Sequence, residues 1–581
     1  MKRPRGAGST GPAPAQHQSG VSGLVWAGGL FVAALVLAFG VYQPALDGPF
    51  VLDDLYLHFG RTDADQIGLA AWMAGRPLLG LSYYANYAMS GQAPGPYHVT
   101  NVMLHAAVAV LVFLIVRRAL DFAEAVREGW PPNLVAALCG AVFLLHPIQT
   151  EAVAYVAGRS DVLSTLFAYG ALAVFLRYRR PAIEPGAVAV VLALSLAALL
   201  SKQQAVAIPA ALVLIDLLWN EGSAVESVKK NLKLHGLLAL GAVAGAVWVF
   251  SVLARGTTAG LRVEGITPVE YFLTQGRVFW SYVRLLFLPV GQNIDPDIAI
   301  ARGFGDVGSL AGLGAIAALA GGAWWMRRAW PLAAAGVLIF LALLAPTSTF
   351  IPIQDVMAER RLYFAFIGPL LILADVLRRW TLSPPAVRYL VLGAAVVILG
   401  AATHSRAALW GDEEALWKDT VAQSPGKLRP RFQLAHIYYK TRRCGDAAAQ
   451  YEAASKLGKA TVELLVDWGL ALDCAGRTPE ATGRLREALA LERTYNSLAQ
   501  LGMVLAKQGQ FEEALPLLND AVKADDRQAA AWGYRGNVLA SQGKLLEASE
   551  DFRRALAINP DDAAAKQGLR YVEQRLGPPR Q

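Results

Sequence analysis

Apolar segments long enough to cross a bilayer recur along the first 403 residues, and they constrain the fold more than any other feature. A membrane-spanning helix needs about 20 predominantly apolar residues. Segments of about 16–22 such residues lie near 22–43, 97–117, 133–147, 160–177, 185–200, 203–219, 234–254, 306–326, 330–347, 361–377 and 386–403. Only 17% of the chain is charged, whereas soluble domains are about a quarter charged. The sequence therefore predicts an all-α, polytopic membrane region with about eleven spans.

Basic residues lie at alternate ends of these segments and predict the orientation of the chain. Lys and Arg accumulate on the cytoplasmic side of membrane proteins. The clusters are Lys2, Arg3 and Arg5; Arg117 and Arg118; Arg177, Arg179 and Arg180; Lys229, Lys230 and Lys233; Arg327 and Arg328; and Arg378 and Arg379. Because they follow every second span, the N-terminus is predicted to be cytoplasmic. The regions predicted to face outward are the loops 44–96, 146–160, 255–305 and 347–360 and everything after residue 403.

The segment 271–289 is rich in aromatic residues and carries Arg277 and Arg284. If it crossed the membrane, the basic clusters that follow it would fall on the outer side, against the orientation rule. We therefore expect an interfacial helix on the outer face.

The N-terminal residues 1–20 are basic and rich in Gly, Pro and Ser, which is typical of a disordered cytoplasmic tail. The apolar run that follows is too long for a signal-peptide core and is predicted to be the first spanning helix. The net charge of +8 is accounted for by the orientation clusters. The sequence therefore does not indicate nucleic acid as a partner.

The C-terminal part is polar and repetitive. Small residues recur at steps of 33 and 34 positions: Gly469, Gly502 and Gly536; Gly476, Gly509 and Gly543; Ala481, Ala514 and Ala548. In the last unit Trp532, Phe552 and Pro560 also stand at positions typical of tetratricopeptide repeats. After the membrane region 21–404 we predict a linker over 405–427 and an α-solenoid of four repeats plus a closing helix over 428–577. Such a solenoid presents a surface that binds another molecule.

Two adjacent carboxylates, Asp53 and Asp54, follow the first span in "FVLDDLYLHFG". Without further context, two exposed and idle loop charges are the simpler interpretation. If the pair is partly buried, mutual repulsion raises the pKa of one carboxyl, which suits a general base or a metal ligand.

Further ionisable residues are concentrated in the loops that are predicted to face outward. They are Arg76, His98, His146, Glu151, Arg159, Asp161, Lys202, Glu359, Arg360 and Arg361. Ionisable groups at membrane depth are costly and usually functional, although an internal salt-bridge network such as Glu151 with Arg159 would also explain some of them. Cations on the outer side oppose the orientation rule, so Arg76, Lys202, Arg360 and Arg361 point to an anionic ligand.

Several chemical classes are not indicated by the sequence. The chain has no G-x-x-x-x-G-K-[ST] phosphate loop, no convincing dinucleotide-binding glycine pattern and no G-x-S-x-G nucleophile turn. Cys139, Cys444 and Cys474 do not have zinc spacing. Pairing of Cys444 with Cys474 remains open at this point. No cofactor is indicated, and because no full ligand set is visible we predict no metal.

The order of these motifs resembles a known family. An acidic pair, "RPLLGLSYYANYAMSGQAPGPYHVTNVMLH", "HPIQTEAVAYVAGRSDVLS", "SKQQAVAIPA", "AERRLYF" and terminal tetratricopeptide repeats follow one another as in the transmembrane and tetratricopeptide-repeat O-mannosyltransferases. These belong to the GT-C class of polytopic glycosyltransferases. The resemblance covers nearly the whole chain after residue 21. Two departures are Gln203, where the family often has Glu, and Gln149, where it often has a second His.

The resemblance implies an inverting hexosyltransferase that moves mannose or another hexose from a polyprenyl-phosphate carrier to a protein Ser or Thr hydroxyl. In it, Asp53 is the base and Asp54 assists. The residues matched to the donor phosphate are Lys202, Arg360 and Arg361, with Arg76 and His98 as helpers. Those expected to shape the site are His146, Glu151, Arg159, Asp161 and Glu359. The repeats would recruit the acceptor protein.

Alternatives from other classes are a non-catalytic membrane scaffold, a transferase acting on a lipid or glycan acceptor, and a carrier for a lipid-linked glycan. About eleven spans exceed what an anchor needs, and the repeated half-structures of transporters are not clear. Short outer turns and Ala-rich spans favour a bacterial inner membrane, with the repeats in the periplasm.

Overall fold

The structure is a computed structural model that describes residues 20–61, 63–123, 130–179, 182–219, 223–253, 259–260, 262–381 and 384–576. The predicted tail lies outside the described residues except for Gly20, as does Arg180. The described residues form two compact units, one within Met1–Ile294 and Ile298–Asp412, the other within Asp295–Asp297 and Glu413–Gln581. Apart from one isolated bridge between Ala259 and Ile353, regular structure in the described residues is helical, which confirms the predicted fold class.

All eleven predicted apolar segments of the first unit are helical. Its helices are α1 (Gly20–Tyr42), α2 (Leu69–Trp72), α3 (Pro77–Ser90), α4 (Gly95–Phe122), α5 (Pro132–Leu145), α6 (Thr150–Ala154), α7 (Arg159–Tyr178), α8 (Pro185–Ser201), α9 (Ile208–Leu218), α10 (Ala224–Lys230), α11 (Leu232–Leu253), α12 (Pro268–Phe287), α13 (Val307–Met326), α14 (Pro331–Leu344), α15 (Arg361–Ala365), α16 (Ile367–Arg379) and α17 (Pro385–Gly411). Many begin with proline, whose fixed φ suits the first helical turn and whose missing N–H is not needed there.

Apolar length identifies this unit as a membrane region. Within the described ranges, the segments long and apolar enough to span are Gly28–Ala45, Gly95–Phe122, Val156–Tyr178, Val307–Met326 and Pro385–Gly411. Two bent pairs qualify if each is one span: Pro132–Leu145 with Pro147–Ala154, and Ala224–Lys230 with Leu232–Trp248. Pro185–Ser201, Gln203–Leu218 and Pro331–Thr347 are apolar but shorter. The chain is therefore a membrane protein, with five to seven spans by length and composition, where the sequence predicted about eleven.

The segment 361–377 shows why several predicted spans do not qualify by length. It is divided into α15 and α16 at Phe366, so neither helix alone reaches the roughly 20 residues of a full span. α12, which carries Arg277 and Arg284, is likewise not among the helices that qualify, as expected for an interfacial helix. Its placement on the outer face stays a prediction.

Small residues allow the apolar helices to approach closely. A Cβ on Gly336 of α14 would lie 2.4 Å from the carbonyl oxygen of Gly368 in α16, and one on Gly368 would lie 2.5 Å from that of Gly336. Membrane helices lack a hydrophobic driving force toward each other, so van der Waals contact at such positions holds them together.

The second unit consists of antiparallel helix pairs. Its helices are α18 (Glu413–Gln423), α19 (Leu428–Lys440), α20 (Cys444–Ser455), α21 (Val462–Cys474), α22 (Thr478–Leu491), α23 (Tyr495–Lys507), α24 (Phe511–Ala524), α25 (Ala529–Ser541), α26 (Leu545–Ile558) and α27 (Ala563–Leu576). Four pairs, α19 to α26, and the closing helix α27 agree with the predicted solenoid. The predicted linker 405–427 differs: it holds the end of α17 and all of α18, because Leu416 and Trp417 are buried rather than exposed.

The repeat glycines allow the paired helices to approach closely. A Cβ on Gly469 or Gly502 would lie 2.7 Å from Leu485 or Leu518 of the paired helix, and one on Gly536 would lie 2.9 Å from the Phe552 ring. Only a residue without a side chain permits that approach. In the second, third and fourth repeats the two helices therefore pack through the Gly and the large residue opposite it.

The pairing of two cysteines, which the sequence left open, is settled by the structure. Cys444 at the start of α20 and Cys474 at the end of α21 form a disulfide with their Cα atoms 5.7 Å apart. Cys139 is buried in α5 as a free thiol.

Candidate active site

The adjacent carboxylates Asp53 and Asp54 lie in a 3-10 turn, Leu52–Tyr56, and occupy different environments. Asp54 is fully buried. One of its carboxylate oxygens accepts the N–H of Val51 at 3.1 Å, and the other accepts the N–H of Ala157 at 2.7 Å. Asp54 thus ties this turn to the segment before α7, 103 residues further along the chain.

Burial raises the pKa of Asp54 to about 7, although the hydrogen bonds from Val51 and Ala157 oppose the shift. A carboxyl with both oxygens committed to backbone N–H groups is poorly placed to receive a proton from another molecule. Asp54 is therefore a residue that positions the turn.

Asp53 is exposed. Its backbone N–H donates to the Tyr155 hydroxyl at 2.9 Å, and the Tyr155 ring stacks on Trp410 with centroids 5.7 Å apart. Among the residues that the structure describes, none hydrogen-bonds or ion-pairs with the Asp53 carboxylate. The backbone holds Asp53 in place while its carboxylate stays available to a substrate.

The backbone just before the pair is strained. Leu52 has a φ of 50°, a conformation that costs a non-glycine residue about 1–3 kcal/mol. Such strain persists where surrounding contacts hold the backbone in place. Here the Asp54 carboxylate holds the turn through its hydrogen bonds with Val51 and Ala157. Backbone strain of this kind is commonly found at functional sites.

Three cations gather around the buried Asp161 of α7. Lys202 Nζ lies 2.5 Å from one carboxylate oxygen of Asp161, and the Gln204 amide donates to the other at 3.1 Å. The Asp161 charge also acts on Arg76 and Arg360. Within the described residues, Arg76 has a hydrogen bond to the Gln203 side-chain oxygen at 3.1 Å but no ion pair.

Glu151 fixes the position of Arg360. The Arg360 backbone N–H donates to one oxygen of Glu151 at 2.9 Å, and its guanidinium donates to the other oxygen. The Arg360 side chain remains 22% exposed, and its guanidinium also lies 3.9 Å from the Asp355 carboxylate.

The pKa values of these cations show that the positive charges are crowded. Burial lowers the pKa of Lys202 to about 8; Asp161 opposes that shift, and Arg360 and Arg76 add to it. Burial also lowers the pKa of Arg76. The pKa of Arg360 is raised, because the carboxylates of Glu151 and Asp161 outweigh its burial. An additional anion would be stabilised among them.

The segment before α7 connects the acidic turn to the cations. Tyr155 and Ala157 of that segment bond to Asp53 and Asp54. Its Glu151 holds Arg360, Asp161 at the start of α7 holds Lys202, and Arg76 bonds to Gln203 next to Lys202. The structure thus brings together Asp53, Arg76, Asp161, Lys202 and Arg360, all predicted from the sequence. An exposed carboxylate beside a cationic cluster can accept a proton on one side of a substrate and stabilise an anion on the other.

The other predicted site residues are occupied with internal contacts. Arg159 is fully buried and donates to the Asn101 side chain at 2.7 Å and to the Tyr97 carbonyl at 2.9 Å. His98 donates to the Gly48 carbonyl at 3.1 Å. The Arg159 bonds join α7 to α4, and the His98 bond joins α4 to the loop after α1. The structure does not join either residue to the cationic cluster by a direct contact.

His146, Glu359 and Arg361 are likewise turned to the backbone. The two ring nitrogens of His146 bond to Leu286 and Ile148. Glu359 accepts the Asn293 N–H at 2.6 Å, and burial raises the pKa of Glu359 to about 8. The Arg361 guanidinium donates to the carbonyls of residues 355 and 356. The three shape the loops around the cluster, and Arg361 has different contacts from Arg360.

Tyr155 and Gln204 were not among the predicted site residues, and Gln203 was noted only as a departure from the family pattern. Tyr155 stands within the quoted "HPIQTEAVAYVAGRSDVLS", and the two glutamines follow Lys202 directly. Proximity to those motifs was the available signal. Among the described residues, no group of three or more His, Cys, Asp or Glu could hold a metal ion.

Comparison with known proteins gives matches in both parts of the chain. The tetratricopeptide-repeat family model matches residues 500–563. Protein O-mannosyl-transferase Tmtc1 of Drosophila melanogaster is 30% identical over 293 residues, 44% of this chain and 32% of that protein. TMTC3 of Homo sapiens is 36% identical over 105 residues, and TMTC2 of Mus musculus 42% over 92 residues; each match covers 10% of that protein.

Among solved structures, the tetratricopeptide-repeat protein YrrB is 20% identical over 32% of this chain and 92% of its own, with a TM-score of 0.25. A crystal structure of MamA is 19% identical over 27% of this chain and 93% of its own, with a TM-score of 0.24. This chain spans a third or less of the length of the mannosyl-transferase relatives named above. Over these segments the chain is similar to the transmembrane and tetratricopeptide-repeat O-mannosyl-transferases.

Proposed function

We propose that the protein transfers a hexose, mannose in view of the names of its relatives, from a polyprenyl-phosphate carrier to Ser or Thr hydroxyls of a protein. The observation that carries this proposal is the exposed Asp53 carboxylate, whose turn is bonded to Tyr155 and Ala157. That segment leads directly into α7, where Asp161 holds Lys202 of the cationic cluster. The repeat unit recruits the acceptor protein.

The proposed reaction is a single displacement with inversion at the anomeric carbon. Asp53 accepts the proton of the acceptor hydroxyl, whose oxygen then forms the bond to the anomeric carbon. The bond from that carbon to the carrier phosphate breaks, and its electron pair leaves with the phosphate. A free carboxylate on the acceptor side and cations on the leaving-group side are what this step requires.

Arg76, Lys202 and Arg360 stabilise the leaving phosphate in this proposal. Lys202 and Arg360 are held in position by Asp161 and Glu151, while Arg76 is held by a neutral amide. Preorganised charges need little reorganisation as the negative charge develops. Because three cations already supply this charge, we propose that the reaction needs no divalent metal; activity that survives EDTA treatment is the expected result.

The disulfide supports a non-cytoplasmic location for the repeat unit. Disulfides persist in oxidising compartments such as the bacterial periplasm and are rare in the cytosol. Cys444 and Cys474 form one between two adjacent helices. We therefore propose that the repeats lie on the side of the membrane where lipid-linked sugars are used, in the periplasm if the host is bacterial.

The proposal is tested by comparing glycopeptides from the extracytoplasmic proteins of cells that carry the native chain, Asp53→Asn or the control Asp63→Asn. Asp63 is an exposed carboxylate in the same loop, paired with Arg61 at 2.7 Å. Hexose-modified Ser and Thr sites should disappear with Asp53→Asn only. If all three glycoproteomes match that of cells lacking the chain, protein glycosylation is excluded and a scaffold or a glycan acceptor becomes the better interpretation.

A further inference from the structure

A cavity of about 160 Å³ lies at the first turn of the spanning helix α17 and shares no residue with the candidate active site. The residues that line it are Trp130, Pro131, Pro385, Arg388 and Tyr389. The first two directly precede α5, and the other three belong to α17. A cavity of about 150 Å³ holds a molecule the size of benzene. This one therefore has room for a group of about six heavy atoms, such as a phosphate with the carbon to which it is esterified.

Aromatic rings hold the walls of the cavity in place. Trp130 is buried, and its indole N–H donates to the Trp380 carbonyl at 3.2 Å. The Tyr389 ring meets the Trp130 ring edge-on with centroids 5.1 Å apart, and the guanidinium carbon of Arg388 lies 5.4 Å from the Trp130 centroid. Trp and Tyr are enriched where a membrane meets water, because each has an apolar ring and a hydrogen-bonding end. The cavity therefore has the composition of a membrane interface.

Arg388 brings unused donors to the cavity. Its Nη1 donates to the Trp380 carbonyl at 2.9 Å. Its Nε is buried without a hydrogen-bond partner among the described residues, and its Nη2, likewise without an acceptor there, stays accessible. No carboxylate in that part of the chain pairs with Arg388, whereas Arg378 and Arg379 on the preceding helix pair with Asp375. Nε and Nη2 form one edge of the guanidinium, and such an edge binds two oxygens of a phosphate side by side.

The helix that carries Arg388 continues from the cavity into lipid. α17 is long and apolar enough to cross a membrane. Beyond the cavity it presents exposed apolar side chains, which are Leu390, Val391, Val397 and Ile398. A lipid whose head group occupies the cavity would lay its acyl chains along this surface. The basic pair Arg378 and Arg379 predicts that this end of α17 lies on the cytoplasmic side.

We infer that the cavity binds the phosphate group of a membrane glycerophospholipid. The phosphate oxygens accept hydrogen bonds from the Nε and Nη2 edge of Arg388, and such charge-assisted bonds are stronger than neutral ones. Of the described residues that line the cavity, none is acidic. A lipid with a net negative charge, such as phosphatidylglycerol, therefore fits better than one whose head group also carries an ammonium. This inference does not depend on the proposed glycosyl transfer.

Binding is measured by native mass spectrometry of the full-length protein in detergent, without any sugar donor. The protein is titrated with phosphatidylglycerol or with diacylglycerol, which has the same acyl chains and no phosphate. The Kd of the first bound phosphatidylglycerol should be about tenfold or more below that of diacylglycerol, since hydrogen bonds to a charged group are worth that much. Phosphatidylglycerol should also raise the melting temperature of the native protein more than diacylglycerol does, because the ligand stabilises the folded state in proportion to its affinity.

Arg388→Gln should remove the preference for phosphatidylglycerol, because an amide carries no positive charge. Arg388→Lys should keep part of it, since an ammonium retains the charge but not the two-donor edge. Arg327→Gln is the matched control and should leave the preference unchanged. Arg327 also lies over a tryptophan, 4.4 Å from the Trp324 centroid, and donates to the Trp324 carbonyl at 2.6 Å, but it does not line the cavity.

Equal binding of phosphatidylglycerol and diacylglycerol to the native protein would overturn the inference. So would a preference that survives Arg388→Gln in protein that melts as the native chain does, or one that Arg327→Gln reduces as much as Arg388→Gln does. Inorganic phosphate in large excess should not displace phosphatidylglycerol. Displacement by inorganic phosphate would assign the cavity to a soluble phosphate ligand and would also overturn the inference.

Discussion

Replacing Asp53 by Asn separates chemistry from folding at the acidic turn. The change removes the basic carboxylate and keeps the shape of the side chain. Stability should be nearly unchanged, because Asp53 is exposed and its contact with Tyr155 uses the backbone N–H, which Asn retains. Exposed substitutions of this kind usually change the free energy of unfolding by less than about 0.5 kcal/mol.

The expected loss of activity is large by comparison. A positioned general base contributes about 100- to 10,000-fold to the rate, which is about 3–5.5 kcal/mol of transition-state stabilisation. In the described structure no second carboxylate with free oxygens adjoins Asp53, since both oxygens of Asp54 are bonded to Val51 and Ala157. Asp54 therefore cannot replace it without breaking the turn.

Asp54→Ala should show the opposite pattern. It leaves the N–H groups of Val51 and Ala157 unbonded at about 1–3 kcal/mol each, so the free energy of unfolding should fall by about 2–6 kcal/mol. The folded fraction should keep its activity unless the change also displaces Asp53.

The assay measures transfer of radiolabelled mannose from polyprenyl phosphate to a Ser-containing peptide by purified protein, alongside thermal melting of each variant. The expected result is an Asp53→Asn protein that melts normally and transfers at least about 100-fold more slowly. Transfer within about threefold of the native rate in that variant would refute the assignment of Asp53 as base. Stability unchanged by Asp54→Ala would refute the positional role of Asp54.

Three further predictions concern the cations and the disulfide. Lys202 is charged below its pKa of about 8, so the KM for the sugar donor should rise as the pH is raised through that value. Lys202→Arg should remove this pH dependence. A donor KM of the native protein that does not change with pH would contradict the role of Lys202. Glu151→Gln should release Arg360 and slow transfer about tenfold or more without weakening peptide binding, as paired kinetic and binding measurements would show. Replacing Cys444 and Cys474 by Ser should lower the free energy of unfolding by about 3–4 kcal/mol; native protein whose melting is unaffected by reductant would argue against the bond.

The helices could be predicted from the apolar segments and from the repeat spacing in the sequence. The eleven apolar segments are helices, and the repeat steps marked by Gly469, Gly502 and Gly536 gave four helix pairs and a closing helix. Local composition sufficed because a helix satisfies its own backbone hydrogen bonds, whatever its neighbours are. It was less informative over residues 405–427, where the burial of Leu416 and Trp417 depends on contacts that a polar, irregular pattern does not show.

The candidate site was predicted as a set of residue types and not as an arrangement. The motif order placed Asp53, Lys202 and Arg360 among the functional candidates, and the structure brings their surroundings together. The same reasoning also selected Arg159, His98 and His146, whose side chains bond to other groups of the protein. The sequence does not distinguish these cases, because it does not show whether a loop Arg or His bonds to a ligand or to a backbone carbonyl.

What the sequence alone determined is the membrane region, the repeats and the relationship to the mannosyl-transferases. Only the tertiary structure decided that the neighbouring residues Asp53 and Asp54 have different roles. Asp54 is buried and bonded to Val51 and Ala157, while Asp53, one residue away, keeps a free carboxylate. The physical reason is that availability for chemistry depends on which hydrogen bonds are already made, and those bonds join Asp54 to a segment 103 residues further along the chain.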